Sequence, residues 1–131
     1  MLSKVAFAAT VAVSLALAST AFAGKASSSS ITGPYIVAAT AGASTIAPQF
    51  GDTITFNVST TQTTNPFVNL VCSGTGVGYN SWAAFWPTSG TFILSSPAWT
   101  SGPADCTAKL VMYVNSSKYK VLASTSFHVN A

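Results

Sequence analysis

The sequence predicts an all-β domain, either two packed antiparallel sheets or a barrel, and three observations carry that prediction. Apolar and polar residues alternate with a period of two along most of the chain, while the spacing of an amphipathic helix does not recur. Roughly seven or eight candidate strands follow one another at intervals of about a dozen residues, rich in β-branched and aromatic side chains and separated by Gly, Pro, Asn and Ser. The chain has 131 residues, 49% of them hydrophobic and 5% charged, which suits one domain with a sizeable core. It contains no internal repeat, so a solenoid or propeller is not expected.

The first stretch reads as an address rather than as structure. Met1 to Lys4 carries one positive charge, Val5 to Ala18 is an almost unbroken apolar run, and Ala21-Phe22-Ala23 is a small-x-small cleavage site before Gly24. This is the layout of a secretory signal peptide over residues 1–23. The apolar run, about 14 residues, falls short of the roughly 20 that a spanning helix needs. Residues 24–30, with the run Lys25-Ala26-Ser27-Ser28-Ser29-Ser30, lack apolar periodicity and read as a flexible leader. The folded body is expected over 31–131.

Tyr35 to Ala39 is the first expected strand, and Ala43 to Phe50 is irregular, with Pro48 at an edge. Gly51-Asp52 makes a turn. In the strand Thr53 to Thr60, Ile54, Phe56 and Val58 share one face and the polar residues the other, the mark of a half-buried antiparallel strand. Phe67 to Ser73 puts Val68, Leu70 and Cys72 together, and Gly74 to Gly78 is expected to be a flexible connection. Tyr79 to Trp86 is an aromatic strand ended by Pro87, Gly90 to Ser95 groups Phe92 with Leu94, and Pro97 to Pro103 is a corner. Asp105 to Val114 alternates again, with Cys106, Ala108, Leu110 and Met112 inward and Thr107, Lys109, Val111 and Tyr113 outward. After the turn Asn115-Ser116-Ser117, the strand Lys118 to Asn130 is expected to present Val121, Ala123, Thr125, Phe127 and Val129 to the core.

An exported chain meets an oxidising compartment, and Cys72 and Cys106 are its only cysteines, so they are expected to pair. The localisation expected on the same ground is secreted, either extracellular or periplasmic. A metal or thiol-catalytic role lacks support, because one His and no Glu accompany them.

The charge inventory excludes several function classes. Five Lys and no Arg, scattered along the chain, do not make a nucleic-acid patch. Asp52 and Asp105 are the only acids, and each stands at a turn or strand start where a carboxylate bonds backbone, so paired-carboxylate hydrolysis is not expected. Asp105, His128 and one of many serines spell a triad only in the absence of any geometric test. Gly74-x-Gly76-x-Gly78 has Tyr79 and no helix where a dinucleotide loop needs them. No cofactor is expected, and neither is membrane contact after signal cleavage. Asn57-Val58-Ser59 and Asn115-Ser116-Ser117 fit the glycosylation pattern, which has meaning only in a eukaryote.

The one feature with a functional edge is aromatic. Tyr79, Trp82, Phe85 and Trp86 crowd one strand, with Trp99 close behind. Alternation sends Trp82 and Trp86 to one side and Tyr79 and Phe85 to the other. One side faces outward unless a loop covers it, and exposed rings stack on sugars or anchor a protein. These four residues are the candidate binding surface; the alternative is that they pack into the core, with Trp99 near the disulfide.

Gly51-Asp52-Thr53-Ile54-Thr55-Phe56, Val68-Asn69-Leu70-Val71-Cys72, Gly102-Pro103-Ala104-Asp105-Cys106-Thr107-Ala108 and Ser126-Phe127-His128-Val129 together resemble small secreted bacterial immunoglobulin-like domains. The resemblance implies an immunoglobulin-like antiparallel β-sandwich and a non-catalytic binding or structural module. In antibody-type domains the bridge crosses between the sheets. Cys72 falls in the third expected strand, so the bridge here is expected to join neighbouring strands or to belong to another class. The Gly51–Phe56 segment also resembles part of the copper-binding cupredoxins, but those need two His, and His128 stands alone. The expected function is a monomeric module for an unknown protein or cell-surface ligand, with carbohydrate binding through the exposed aromatics as the alternative.

Overall fold

The structure, a computed structural model, describes residues 28–39 and 47–131. The expected signal peptide over 1–23, most of the leader and residues 43–46 of the irregular stretch lie outside the described residues. Seven strands follow in chain order: β1 (Ser30–Ala38), β2 (Thr53–Ser59), β3 (Phe67–Gly74), β4 (Val77–Ala84), β5 (Phe92–Ile93), β6 (Ala104–Asn115) and β7 (Lys118–Val129). They form a three-stranded sheet in the order β1-β2-β5 and a four-stranded sheet in the order β4-β3-β6-β7. Every pairing within them is antiparallel.

The inward rows meet in one core. Ile54, Phe56 and Phe92 from the first sheet join Val68, Leu70, Cys72, Ala108, Leu110 and Val129 from the second, all buried. Phe56 spans the layers, with its ring 6.1 Å from Phe92 and 5.9 Å from Phe127. Each such side chain contributes about 1.5–3 kcal/mol by leaving water. The expected Cys72–Cys106 disulfide forms on this inner face, between directly opposed residues of β3 and β6. It therefore ties neighbouring strands of one sheet.

Local chemistry sets the connections. Asp52 is fully buried and its carboxylate accepts a hydrogen bond from the Gln49 amide at 2.9 Å, closing the turn into β2. Pro34, which has no N–H, sits at a register shift of the edge strand β1, where no ladder bond is lost. Past Pro48, Gln49 pairs in parallel with Asn130, and the Phe50 amide bonds the Asn130 carbonyl at 2.8 Å. This ties the chain entering β2 to the end of β7.

Two expectations are corrected. Residues 74–78 are not a loose connection: Gly74 pairs with Val77 and Ser73 with Gly78, leaving Thr75-Gly76 as a two-residue hairpin turn. Gly76, at φ 72°, supplies the left-handed backbone such a turn requires. Ser28 and Ser29 are tied to Thr61 and Thr60 by hydroxyl hydrogen bonds, and Ser30 belongs to β1. Val121, expected in the core, is exposed, while Val111 keeps its outward register and is nonetheless fully buried. Leu110 pairs with Ala123 but Val111 with Val121, so Leu122 is an extra residue that turns over the remainder of β7.

Candidate functional site

The outer face of the four-stranded sheet is built from cross-strand rows. One row runs Gly78, Ser73, Asp105, His128 and the next Asn80, Val71, Thr107, Ser126. The third runs Trp82, Asn69, Lys109, Ser124 and the fourth Ala84, Phe67, Val111, Val121. Beyond β3, Tyr113 and Tyr119 face each other across the β6–β7 hairpin.

The rings of this face converge. Trp82 lies 5.3 Å from Tyr119 and 6.0 Å from Tyr113, and Tyr113 lies 5.3 Å from Phe67. Their largely edge-to-face geometry is the one that ring quadrupoles favour. Trp82, Tyr113 and Tyr119 nevertheless remain 40%, 42% and 44% exposed. The cluster thus roofs Val111 from one side and offers ring surface to solvent on the other.

A buried amide stiffens the same face. Asn69 points outward by register yet is only 4% exposed. Its side-chain nitrogen donates to Asn80 Oδ1 at 2.7 Å and to the Ser81 carbonyl at 3.1 Å. With its oxygen engaged by Asn69, Asn80 has its amide N–H groups left as donors, and it shares a face of β4 with Trp82. Lys109 is half-buried in the Trp82 row.

The four aromatic candidates from the sequence are separated by the fold. Trp82 joins the cluster just described. Trp86, 60% exposed, instead lines an open cleft of about 340 Å³ with Phe85, Pro66, Val58, Thr60, Thr63 and Thr64. Phe85 is buried, and its ring stacks near that of Phe92 in the core. Tyr79 is half-buried, donates to the Ile93 carbonyl at 2.9 Å and sets its ring 5.6 Å from Trp99. Burial raises the Tyr79 phenol above its ordinary pKa, with a Ser81 hydrogen bond working the other way. Trp99 is fully buried between Tyr79 and Phe50, its indole N–H held by the Gly102 carbonyl at 3.0 Å. Phe67, Asn69, Lys109, Tyr113 and Tyr119 complete the face and were not singled out from sequence. The available signal was the outward register of Tyr113 and the position of Tyr119 just across the Asn115-Ser116-Ser117 turn.

The fold does bring Asp105 and His128 together. They are directly opposed, and Asp105 Oδ1 lies 2.8 Å from His128 Nδ1. Asp105 is 84% and His128 55% exposed on an open sheet face. The nearby Thr107 and Ser126 hydroxyls bond each other at 3.2 Å. Nucleophilic catalysis needs a hydroxyl on the imidazole and a sheltered oxyanion site, and the His128 imidazole accepts or donates no serine hydrogen bond among the described residues. Also among the described residues, no group of three His, Cys, Asp or Glu is placed to hold a metal ion.

No protein-family model, curated protein or solved structure matches this chain. The functional reading therefore rests on the geometry of this face.

Proposed function

We propose that this protein is an exported, non-catalytic binding module, an immunoglobulin-like sandwich that engages a protein or cell-surface ligand through the outer face of its four-stranded sheet. The observation that carries the reading is the half-exposed ring cluster of Trp82, Tyr113 and Tyr119, three large aromatics brought onto one strand-built face. Contact energy concentrates in such rings when a partner removes them from water. The immunoglobulin-like assignment is supported by the strand order β1-β2-β5 against β4-β3-β6-β7, since chain-adjacent strands repeatedly change sheet as Greek-key connections require. The buried disulfide supports an oxidising location. The scarcity of titratable side chains supports the non-catalytic reading, because general acid-base chemistry needs them.

A specific observation favours saccharide as the ligand: a flat indole stands beside an amide whose carbonyl end is already engaged, a pairing suited to stacking on a sugar ring and bonding its hydroxyls. The test is retention of natively purified protein on cellulose, chitin and peptidoglycan. Retention that falls at least tenfold in a still-folded Trp82→Ala variant assigns the face to saccharides. Retention indifferent to Trp82→Ala and Tyr119→Ala removes the face from the reading. Absence of retention on all three returns the reading to a protein ligand.

A further inference from the structure

We infer that the ligand of this face is an acidic saccharide, a uronate-bearing glycan whose ring stacks on Trp82 and whose carboxylate is met by Lys109. The inference rests on the saccharide reading above and specifies its charge. Trp82 and Lys109 occupy one row of the sheet, with Asn69 of β3 between them. Two strand spacings separate their backbones by roughly 10 Å, a span suited to consecutive sugar rings laid across the strands. Asn69 is buried and its amide nitrogen is already engaged by Asn80 and the Ser81 carbonyl, so it does not compete for the ligand.

Charge is sorted along β6 and β7. All three Lys of the described residues, Lys109, Lys118 and Lys120, lie on these two strands, and none forms an ion pair with a described carboxylate. The described acidic side chains stand elsewhere. Asp52 is fully buried at its turn, and Asp105 is held by His128. Asp105 lies four residues along β6 from Lys109, roughly 13 Å away at the rise of a strand. Lys118 and Lys120 alternate with Tyr119 and Val121 and so turn to the opposite side, which leaves Lys109 as the cation in the rows of the ring-bearing face, without a described counter-charge, and complementarity there selects an anionic partner. A lipid surface fits less well. The rings pack against one another on a sheet face, and the hairpin apex is Asn115-Ser116-Ser117, where Asn115 Oδ1 accepts from the Ser117 amide and hydroxyl. The turn itself is polar, and Val114 beside it is the exposed aliphatic residue nearest the apex.

The probes are polygalacturonate and hyaluronan, each beside its carboxyl-esterified form, which keeps the backbone and removes the charge. Affinity electrophoresis of the disulfide-intact protein should give at least tenfold tighter binding to an acidic polymer than to its ester, falling as salt rises from about 0.05 to 0.5 M. Lys109→Gln should abolish that preference, about tenfold for a lost charge-assisted contact, while leaving binding to the ester. Lys109→Arg should keep the preference, which excludes a folding defect as the cause. Trp82→Ala should weaken binding to both forms. Equal binding to acid and ester, unmoved by Lys109→Gln, overturns the acidic assignment and leaves the saccharide reading standing. Binding to neither form overturns the acidic assignment, and the cellulose, chitin and peptidoglycan results decide the broader reading separately. Binding to phosphatidylglycerol vesicles but not to the polyuronates assigns the cations to lipid and also overturns it.

Discussion

Two residues depart from what their strand positions dictate, and each departure has a local cause. Asn69 stands on the outer face but is buried, and it is tolerated there because its amide hydrogens find Asn80 and the Ser81 carbonyl. A buried amide without such partners costs about 1–3 kcal/mol. Tyr79 stands on the inner side but keeps its hydroxyl at the margin, where it donates to the Ile93 carbonyl of the other sheet. Burial raises its pKa, so the folded state holds this proton more firmly than the unfolded chain does. The contribution is complete below the unfolded phenol value of about 10 and is lost as pH rises past it. Tyr79→Phe should lower stability at pH 7 by about 0.5–1 kcal/mol, the worth of one hydrogen bond. At pH 11 the gap between the two proteins in urea unfolding should narrow, since a phenolate cannot donate to Ile93. A gap that stays constant from pH 7 to 11 would show that this phenol has no part in alkaline unfolding.

At the scale of elements, alternation carried most of the information. The row Ile54, Phe56, Val58 and the row Val68, Leu70, Cys72 are legible because each strand is half-buried and uninterrupted. Legibility fails where register is broken. Leu122 inserts one residue opposite the Leu110–Val111 step, and no letter in Val121-Leu122-Ala123 announces it. The ring face was half legible for a related reason. Trp82 belongs to a crowded aromatic strand, whereas Tyr113 and Tyr119 reach it only through the pairing of β3 with β4 and β6. Sequence proximity also misleads in the other direction: Trp82 and Trp86 share a parity, yet the strand ends at Ala84 and Trp86 goes to a separate cleft. The bulge makes a paired prediction. Val111→Thr places a hydroxyl at a fully buried site and should cost about 1–2 kcal/mol. Val121→Thr, directly opposite but exposed, should change stability by less than about 0.5 kcal/mol. Urea midpoints of the two variants decide it, and equal effects would mean that β7 runs without the extra residue.

For the whole molecule, cohesion falls to the shared core and to the single covalent tie within it, because charge is too sparse for ion-pair networks. The Cys72–Cys106 bridge joins the two central strands of the larger sheet across a sequence separation of 34 residues. Within that loop the chain leaves the sheet edge at β4, crosses to β5 in the other layer and returns at β6. Holding the ends together removes from the unfolded ensemble the freedom that this excursion would otherwise have, worth about 3.5–4 kcal/mol in the loop-entropy model. Against the roughly 5–15 kcal/mol that stabilises a domain, this is a large share. Comparing the oxidised protein with protein unfolded and refolded under reducing conditions keeps the same side chains in the core, so the difference isolates the tie. Urea unfolding should show a loss of about 3–4 kcal/mol, a several-hundredfold rise in the unfolded fraction, and a steeper denaturant slope because the reduced unfolded chain exposes more surface. A loss below about 1 kcal/mol with an unchanged slope would place the stabilisation in the packed layers alone, and the domain would then need no oxidising compartment to persist.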